Sequence, residues 1–338
     1  MYINWAHHYI PKISGVCSVF VNFFFIYILQ NDKKNMLGNY RYLLLFFAMY
    51  NLCCTAEDVL VPMAVHDYRY AFSIFICEGV FEKQSDLGRI FICFRCSFVP
   101  AAYAILHSHF VYRYLVLFAN NFLTKWFIPY GLLMTISYCL VLMTAWFTAC
   151  YRYLFADPER QAYIELSLLE IYDVHISDLN VLMSVYQEVS PEAIRDSWIG
   201  IIIISFISVY SPIVYVILGA LIGEKLNSAQ LHMSNKTRKM QQQLMKALAV
   251  QAIIPVFVSF LPCLFVWYQP VFLIDIGQWI NLTACVAFAM FPVLDPLALF
   301  YFIPTFRRRI REIVKKRTPK KVSSILSVSR VKASSSGG

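Results

Sequence analysis

Three charged side chains lie in stretches of sequence that are otherwise strongly apolar. Glu57 and Asp58 are neighbours in one stretch, and Arg95 lies in the next. A charge in an apolar environment is stable only when it is paired, hydrogen-bonded or hydrated. If both stretches are helical, a rise of about 1.5 Å per residue puts the three side chains at a similar depth. We therefore expect Arg95 to pair with Glu57 or Asp58, either as a structural ion pair or as part of a ligand or ion site.

A fourth charged side chain, Arg113, stands between two tyrosines where the stretch that contains Arg95 ends. It belongs to the string His109–Tyr114. An arginine at the end of an apolar helix commonly keeps its stem in the apolar layer and its guanidinium in water. Arg113 is therefore either such an interface residue or a functional one, and residue type alone does not choose between them.

Prolines interrupt two later apolar stretches. Pro255 and Pro262 lie in one of them, and the pair Asp295-Pro296 lies in the other. Proline leaves a backbone carbonyl without its helical partner and allows a kink, so these positions are candidate hinges. Kinks without any switching function would look the same in sequence. Asp295 must be paired, hydrated or protonated at such a depth.

The residue pattern indicates no catalytic, metal or cofactor site. Ten cysteines are present, and Cys93 and Cys96 form a CxxC. No second pair or suitably spaced histidine accompanies it, as a zinc site would require. We therefore predict no metal, no cofactor and no enzymatic activity. One disulfide is plausible near an oxidising outer face, without an indicated pairing. Its candidate residues are Cys77, Cys93, Cys96 and Cys150.

The elements that must position these residues are membrane-spanning helices. The chain is 59% hydrophobic and only 14% charged, whereas soluble proteins carry roughly 25% charged residues. Apolar runs near the spanning length of about 20 residues fall at 10–29, 42–64, 90–116, 127–149, 197–221, 244–268 and 275–303. In lipid, each backbone group must be bonded within its own segment, so the runs are helices. We predict an all-α membrane protein, a bundle of seven transmembrane helices over residues 1–303.

Basic residues indicate the orientation of this bundle. The net charge of +9 is concentrated in the C-terminal tail after Pro304, so the tail is predicted to be cytoplasmic and the N-terminus outside. Because the charge is confined to one end, no nucleic-acid partner is predicted. The acidic segment 151–196 then faces outward. It is either a solvated loop or a lid that steers ligands by charge.

Residues 304–317 are predicted to form a short amphipathic helix on the inner membrane surface. Its apolar face contains Phe306, Ile310, Ile313 and Val314, and its basic face contains Arg307, Arg308, Arg309, Arg311, Lys315 and Lys316. Each basic residue near anionic lipid contributes on the order of 1 kcal/mol to binding. Membrane lipids are therefore an expected partner. The Ser-rich segment 318–338 is predicted to be a disordered cytoplasmic tail.

Several strings at the helix ends together resemble one family. They are Gly38–Leu43, Asp58–His66, His109–Tyr114, Leu244–Leu248 with Gln251–Pro255, and Phe291–Leu297 followed by Tyr301–Ile303. With these strings in order over nearly its whole length, the chain resembles the nematode seven-transmembrane chemoreceptors of the Str superfamily, serpentine receptor class r or class j. The resemblance implies a G protein-coupled receptor fold.

The resemblance also implies a function and a set of switch residues. The expected function is that of a chemosensory receptor, olfactory or pheromone-sensing, in the plasma membrane and specifically the ciliary membrane of sensory neurons. It would bind an odorant-like small molecule and activate a heterotrimeric G protein. The implied coupling and switch residues are Tyr112, Arg113, Tyr114, Pro255, Asp295 and Pro296. Tyr112 stands where rhodopsin-like receptors usually carry an acid, so the restraint on Arg113 must come from elsewhere.

Depth in the bundle suggests a ligand pocket in its outer half. The residues expected to line it are Glu57, Arg95, Val99, Tyr103, Trp267 and Tyr268. Two other classes of function remain open on sequence grounds. One is a ligand-gated channel or transporter, and the other is a non-signalling receptor-like partner that assists the trafficking of other receptors.

Overall fold

A computed structural model describes residues 3–31, 37–118, 126–228, 234–274 and 279–317. Within these ranges, seven helices are long and apolar enough to cross a membrane, which confirms the prediction of a seven-helix bundle. Large apolar side chains such as Phe20, Met134 and Phe206 project from the bundle with more than half of their surface exposed. Contiguous exposed apolar surface of this kind is expected where a protein faces lipid.

Ten α-helices follow one another along the described residues. In order, they are α1 (Trp5–Gln30), α2 (Tyr40–Leu60), α3 (Asp86–Phe118), α4 (Leu132–Tyr153), α5 (Pro158–Tyr172), α6 (Pro191–Asn227), α7 (Asn235–Pro255), α8 (Leu261–Phe272), α9 (Trp279–Phe302) and α10 (Pro304–Arg317). A π-helical turn, Phe127–Gly131, leads into α4, and another, Val256–Phe260, joins α7 to α8 so that the two form one span. The short helix α5 and the C-terminal helix α10 are not spans. The last helix occupies the segment predicted to be amphipathic, and residues 318–338 lie outside the described part of the chain.

Helix α3 lies at the centre of the bundle. Most of its side chains are buried, and it packs most extensively against α4 and α6. Because α3 carries both Arg95 and Arg113, the bundle places one arginine near each of its two ends. Helix α3 therefore extends to both ends of the bundle, and a rearrangement that couples the two ends involves it.

Three strands and α5 form a folded cap over one end of the bundle. The strands are β1 (Met63–Tyr68), β2 (Ala71–Ile76) and β3 (Val181–Val185), and they pair antiparallel in that order. Ala71 marks the register, because it is paired with Tyr68 on one side and with Val185 on the other. Ile164 and Leu168 of α5 are buried in a cluster with strand residues such as Phe75. We call β1, β2, β3 and α5 the cap.

The cap was not predicted from the sequence. Helix α2 ends at Leu60, four residues before the predicted end of the second span, and the chain continues into β1. The segment 151–196, expected as an outward loop or lid, contains α5 and β3 and is folded. Sequence reasoning missed the strands because each is only five or six residues long and because β3 pairs with β2 from more than a hundred residues away.

Side-chain amides attach the cap to the bundle. Asn180 Nδ2 donates to the carbonyls of Phe81 and Lys83, at 2.7 and 2.8 Å, while its Oδ1 accepts from the backbone N–H of Ser85 at 3.0 Å. At the other side, Gln269 of α8 donates to Asp67 of β1 at 2.6 Å. The cap is therefore bonded both to the start of α3 and to the end of α8.

Candidate functional site

A cavity of about 90 Å³ lies directly under the cap. Its walls come from α3, α4, α6, α8 and α9, and its roof comes from all three strands of the sheet. Aromatic side chains dominate the lining, including Phe72, Trp146, Trp267 and Phe288. Apolar and aromatic walls with few polar groups are typical of small-molecule sites. Arg95 is the only charged residue among the described residues that line it.

The predicted pocket residues divide into two groups. Arg95, Val99 and Trp267 line the cavity. Tyr103 is buried in the same apolar cluster, and its hydroxyl lies 3.5 Å from Ser259. Tyr268 packs against the cluster and its hydroxyl is hydrogen-bonded to Ser205 at 2.8 Å, whereas Glu57 is buried outside the lining.

Other lining residues escaped the sequence prediction. They include residues of the three strands, the Trp146 and Cys150 side chains of α4, and Phe288 of α9. No sequence signal marks the strands as a roof. Trp146 lies deep in an apolar run and could have been chosen as a pocket residue for that reason. An aromatic side chain that faces lipid produces the same pattern, however.

Arg95 is paired with Asp58 and not with Glu57. Only 3% of Arg95 is exposed, and its Cζ lies 4.4 Å from the centroid of the Phe288 ring. Among the described residues, no hydrogen-bond partner contacts its Nε or Nη1 atoms. The Oε2 atom of Glu57 is likewise buried and without a described partner. The ion pair thus leaves N–H donors of Arg95 without a described partner at the wall of an apolar cavity.

A second cavity, of about 80 Å³, lies on the other side of Arg95. It is more polar than the first, because His8, Lys12, Asp58 and Glu78 all line it. Glu78 contacts His8 and accepts a hydrogen bond from Lys12 at 2.9 Å. Partial burial acts to raise the pKa of Glu78, but the hydrogen bonds from Lys12 and His8 outweigh it and hold the pKa below its ordinary value.

The four cysteines considered for a disulfide do not all lie at one place in the structure. Cys96 of α3 and Cys150 of α4 are buried and both line the first cavity. Cys77 instead donates to the carbonyl of Pro62. All of the described cysteines are free thiols.

At the opposite end of the bundle, Arg113 is buried between three helices. Its Nη1 donates to Oε1 of Gln241 on α7 at 2.9 Å, and its Cζ lies 3.8 Å above the centroid of the Tyr40 ring of α2. Tyr40 stacks on Tyr112 and is hydrogen-bonded to His109 at 2.8 Å. The restraint on Arg113 that an adjacent acid would otherwise supply therefore comes from an amide on α7. Tyr114 stacks on Phe118 at the end of α3, with ring centroids 4.3 Å apart.

Asp295 is the centre of a buried polar network. Its Oδ1 accepts from Gln251 of α7 at 2.6 Å, and its Oδ2 accepts from Asn51 of α2 at 3.1 Å. Asn22 of α1 extends the network by donating to the carbonyl of Pro292 at 2.9 Å. Four helices are thus joined beside the candidate hinges Pro255 and Pro296, which lie within one turn of these amide and carboxylate groups. Sequence reasoning singled out Asp295 but none of its partners.

Helix α10 lies against the same end of the bundle as Arg113. Phe306 is almost fully buried, Ile310 and Ile313 pack beside it, and Arg309 donates to the carbonyl of Ile28 at 2.9 Å. Arg307 and Arg308 remain exposed. The apolar face is therefore used for packing against the bundle, while the basic face stays accessible.

Comparison with known proteins decides the family. A family model described as serpentine type 7TM GPCR chemoreceptor Srj matches residues 1–310. The chain belongs to this family. Among curated relatives, it is 37% identical over 319 residues to Serpentine receptor class J-38 of Caenorhabditis elegans. The aligned region covers 93% of this chain and 95% of the relative.

More distant relatives of this Srj chain are also serpentine receptors. It is 27% identical over 308 residues to Serpentine receptor class r-10 of Caenorhabditis elegans, with 88% of each chain covered. It is 22% identical over 312 residues to G-protein coupled receptor str-33 of the same organism, with 90% of this chain and 89% of the relative covered. The expected resemblance to nematode chemoreceptors is confirmed, and the family is one of receptors, not enzymes.

Proposed function

We propose that this Srj chain is a chemosensory receptor of olfactory or pheromone type, which binds an odorant-like small molecule in the cavity under the cap and activates a heterotrimeric G protein at the opposite end. It would act in the plasma membrane, in the ciliary membrane of sensory neurons, with its N-terminus outside. The observation that carries this proposal is the bond between Arg113 and Gln241, which closes α3 against α7 at the end remote from the cavity.

A continuous element connects the two ends. Helix α8 contributes Trp267 to the cavity, and it continues through the π-helical turn Val256–Phe260 into α7, which carries Gln241. Pro255 and the π-helical turn break the regular helical bonding between these points, so the two halves can change their relative angle. A ligand that binds more tightly to the conformation with one interhelical angle shifts the population toward that conformation. Release of Arg113 from Gln241 would then open the surface for the G protein.

The Asp295 network gives the rearrangement a pivot. Gln251 bonds to Asp295 about one turn before Pro255, so the C-terminal end of α7 is held to α9 while its N-terminal half is held by Arg113. Movement of the N-terminal half therefore requires loss of one hydrogen bond to a charged group, worth roughly 1.5–3 kcal/mol. Differential ligand binding can supply a free energy of this size. The exposed basic face of α10 fits the lipid partner expected for this end of the molecule.

The proposal is tested by G-protein activation in a heterologous cell, with wild type beside Arg113→Ala and a panel of small odorants. Arg195→Ala, which changes an exposed arginine at the cap end, is the matched control. A response that is lost only in Arg113→Ala at equal surface expression supports the proposal. Ion currents without G protein in all three proteins would instead establish a channel. Signalling that survives in Arg113→Ala would contradict the assigned coupling surface.

A further inference from the structure

Arg95 separates two cavities of different character. On one side lies the apolar cavity with its aromatic walls, and on the other lies the polar cavity with His8, Lys12 and Glu78. Arg95 contributes to the lining of both. Only 3% of Arg95 is exposed, and its Nε and Nη1 atoms, which together carry three N–H bonds, have no described partner. These N–H bonds are left for a molecule held in a cavity that Arg95 lines.

The charges around Arg95 decide what that molecule can be. The Asp58 carboxylate already neutralises the guanidinium, and Glu57 adds a further acidic group within electrostatic range. The site is therefore neutral or negative before a ligand enters. An anionic ligand would lose its hydration and meet no net positive charge. Asp58 and Glu57 do not line the apolar cavity, so a cationic ligand there would meet the N–H donors of Arg95 where it needs an acceptor.

An uncharged acceptor avoids both costs. A carbonyl oxygen accepts from the spare donors of Arg95 and brings no charge into the apolar site. Beyond this one polar point the wall is formed by Phe72, Val99, Trp146 and Phe288, which favour an apolar body. The small volume of about 90 Å³ favours a compact molecule.

We infer that the cavity under the cap selects an uncharged apolar ligand with one carbonyl group, a ketone, aldehyde or ester, whose oxygen accepts a hydrogen bond from Arg95. The inference rests on the proposed function in placing the ligand under the cap. Binding can nevertheless be measured without signalling, so the two can fail separately.

The test uses the full-length receptor in lipid nanodiscs and four probes of equal chain length: heptan-2-one, heptanoate, heptylammonium and heptane. Affinity is read from the concentration dependence of thermal stabilisation. We expect heptan-2-one to bind roughly tenfold more tightly than heptane, the size of one hydrogen bond to a charged donor. Heptanoate and heptylammonium should bind more weakly than the ketone. Equal binding of ketone and heptane, or a preference for either ion, would overturn the inference.

A charge variant sharpens the result. In Asp58→Asn the guanidinium keeps an amide neighbour but loses its neutralising charge, so heptanoate should gain at least about tenfold relative to heptan-2-one. Asp86→Asn, at the exposed start of α3, is the matched control and should leave the preference unchanged. An unchanged preference in Asp58→Asn would also overturn the inference. The wild-type series needs no variant, so the inference remains testable if Asp58→Asn lowers expression.

Signalling distinguishes this inference from the proposed function. If the ketone preference holds but no G protein is activated, the inference stands and the proposed function falls. If a carboxylate ligand activates a G protein through this cavity, the proposed function stands and the inference is wrong.

Discussion

Buried polar residues in this receptor are paired with residues on neighbouring helices. Arg95 is matched by a carboxylate on α2, whereas Arg113 is matched by an amide on α7. The difference has an energetic consequence. A buried ion pair is hard to separate, because each partner would be left as an unpaired charge. An arginine–amide bond is weaker and therefore better suited to the end of the molecule that opens in the proposed function.

Removal of the amide should raise basal activity. In Gln241→Leu, Arg113 loses its hydrogen bond to α7, and the closed arrangement loses roughly 1.5 kcal/mol or more. Basal G-protein activation without ligand should rise about tenfold, measured as nucleotide exchange in membranes. Gln242→Leu, the next residue on the same helix, is the control and should remain at the wild-type level. Unchanged basal exchange in Gln241→Leu would show that this bond does not hold the resting state.

At the scale of elements, the cap depends on a close approach between Gly88 of α3 and Asn180. A Cβ atom added at Gly88 would lie 2.2 Å from Asn180 Nδ2, and Asn180 cannot swing aside without breaking three hydrogen bonds to the chain between β2 and α3. Glycine is therefore required at this position for steric reasons.

Gly88→Ala should lower the free energy of unfolding by about 2 kcal/mol, the usual cost of overpacking. Gly223→Ala, where an added Cβ meets nothing within 4 Å, should be neutral or slightly stabilising because alanine favours the helix. Thermal unfolding of the purified receptor compares the two variants. A second change, Asn180→Ala, should recover part of the loss in the Gly88→Ala background. Equal melting temperatures for Gly88→Ala and wild type would contradict the assigned contact.

The cap also predicts a dependence of stability on pH. His66 of β1 is buried against α5 and contacts Ser167 at 3.0 Å, and burial lowers its pKa to about 4. The unfolded chain has a histidine pKa of about 6.5. Between these values unfolding takes up a proton, so the full stability is present above about pH 6.5 and is lost progressively as the pH falls toward 4.

His66→Gln should remove this acid sensitivity, which amounts to on the order of 2 kcal/mol between pH 7 and 4. The measurement is the melting temperature at a series of pH values. His175→Gln is an informative control, because the hydrogen bond with Glu165 raises the pKa of this exposed histidine. Its stabilising effect is present at low pH and lost as the pH rises, so His175→Gln should not reduce acid sensitivity. A wild-type profile in His66→Gln would contradict the role assigned to this histidine.

At the scale of the whole molecule, orientation decides what each end can do. The proposed function requires the cap outside and the Arg113 end, with α10, in the cytoplasm. The excess of Lys and Arg after Pro304 favours this arrangement through the positive-inside rule.

Tags at the two termini test the orientation. An N-terminal epitope should bind antibody on intact cells, and a C-terminal epitope should bind only after permeabilisation. A co-expressed membrane protein of known topology serves as the control for cell integrity. The reverse pattern would place the cap inside the cell and would favour a channel-type chemoreceptor of inverted topology.

Local patterns in the amino-acid sequence were sufficient to predict the bundle and the residues that need partners, while the resemblance of short strings at the helix ends indicated the family. Composition and run length predict spanning helices because backbone bonding in lipid is local to each segment. The same reasoning marked Arg95, Arg113 and Asp295 as unusual, since burial of charge is costly wherever the chain places it. The short helix α10 was also predictable, because its amphipathic pattern repeats within one segment.

The partners of these residues, in contrast, became evident only from the folded molecule. Arg95 could pair with either of two adjacent acids, and the choice of Asp58 depends on the rotation of α2 against α3. Gln241 and Asn51 carry no charge and stand out in no local pattern, yet they hold Arg113 and Asp295. The cap and its cavity likewise arise from short strands joined across more than a hundred residues. Such contacts depend on how the helices pack and on which distant segments the fold brings together. Neither is encoded in a short stretch of sequence.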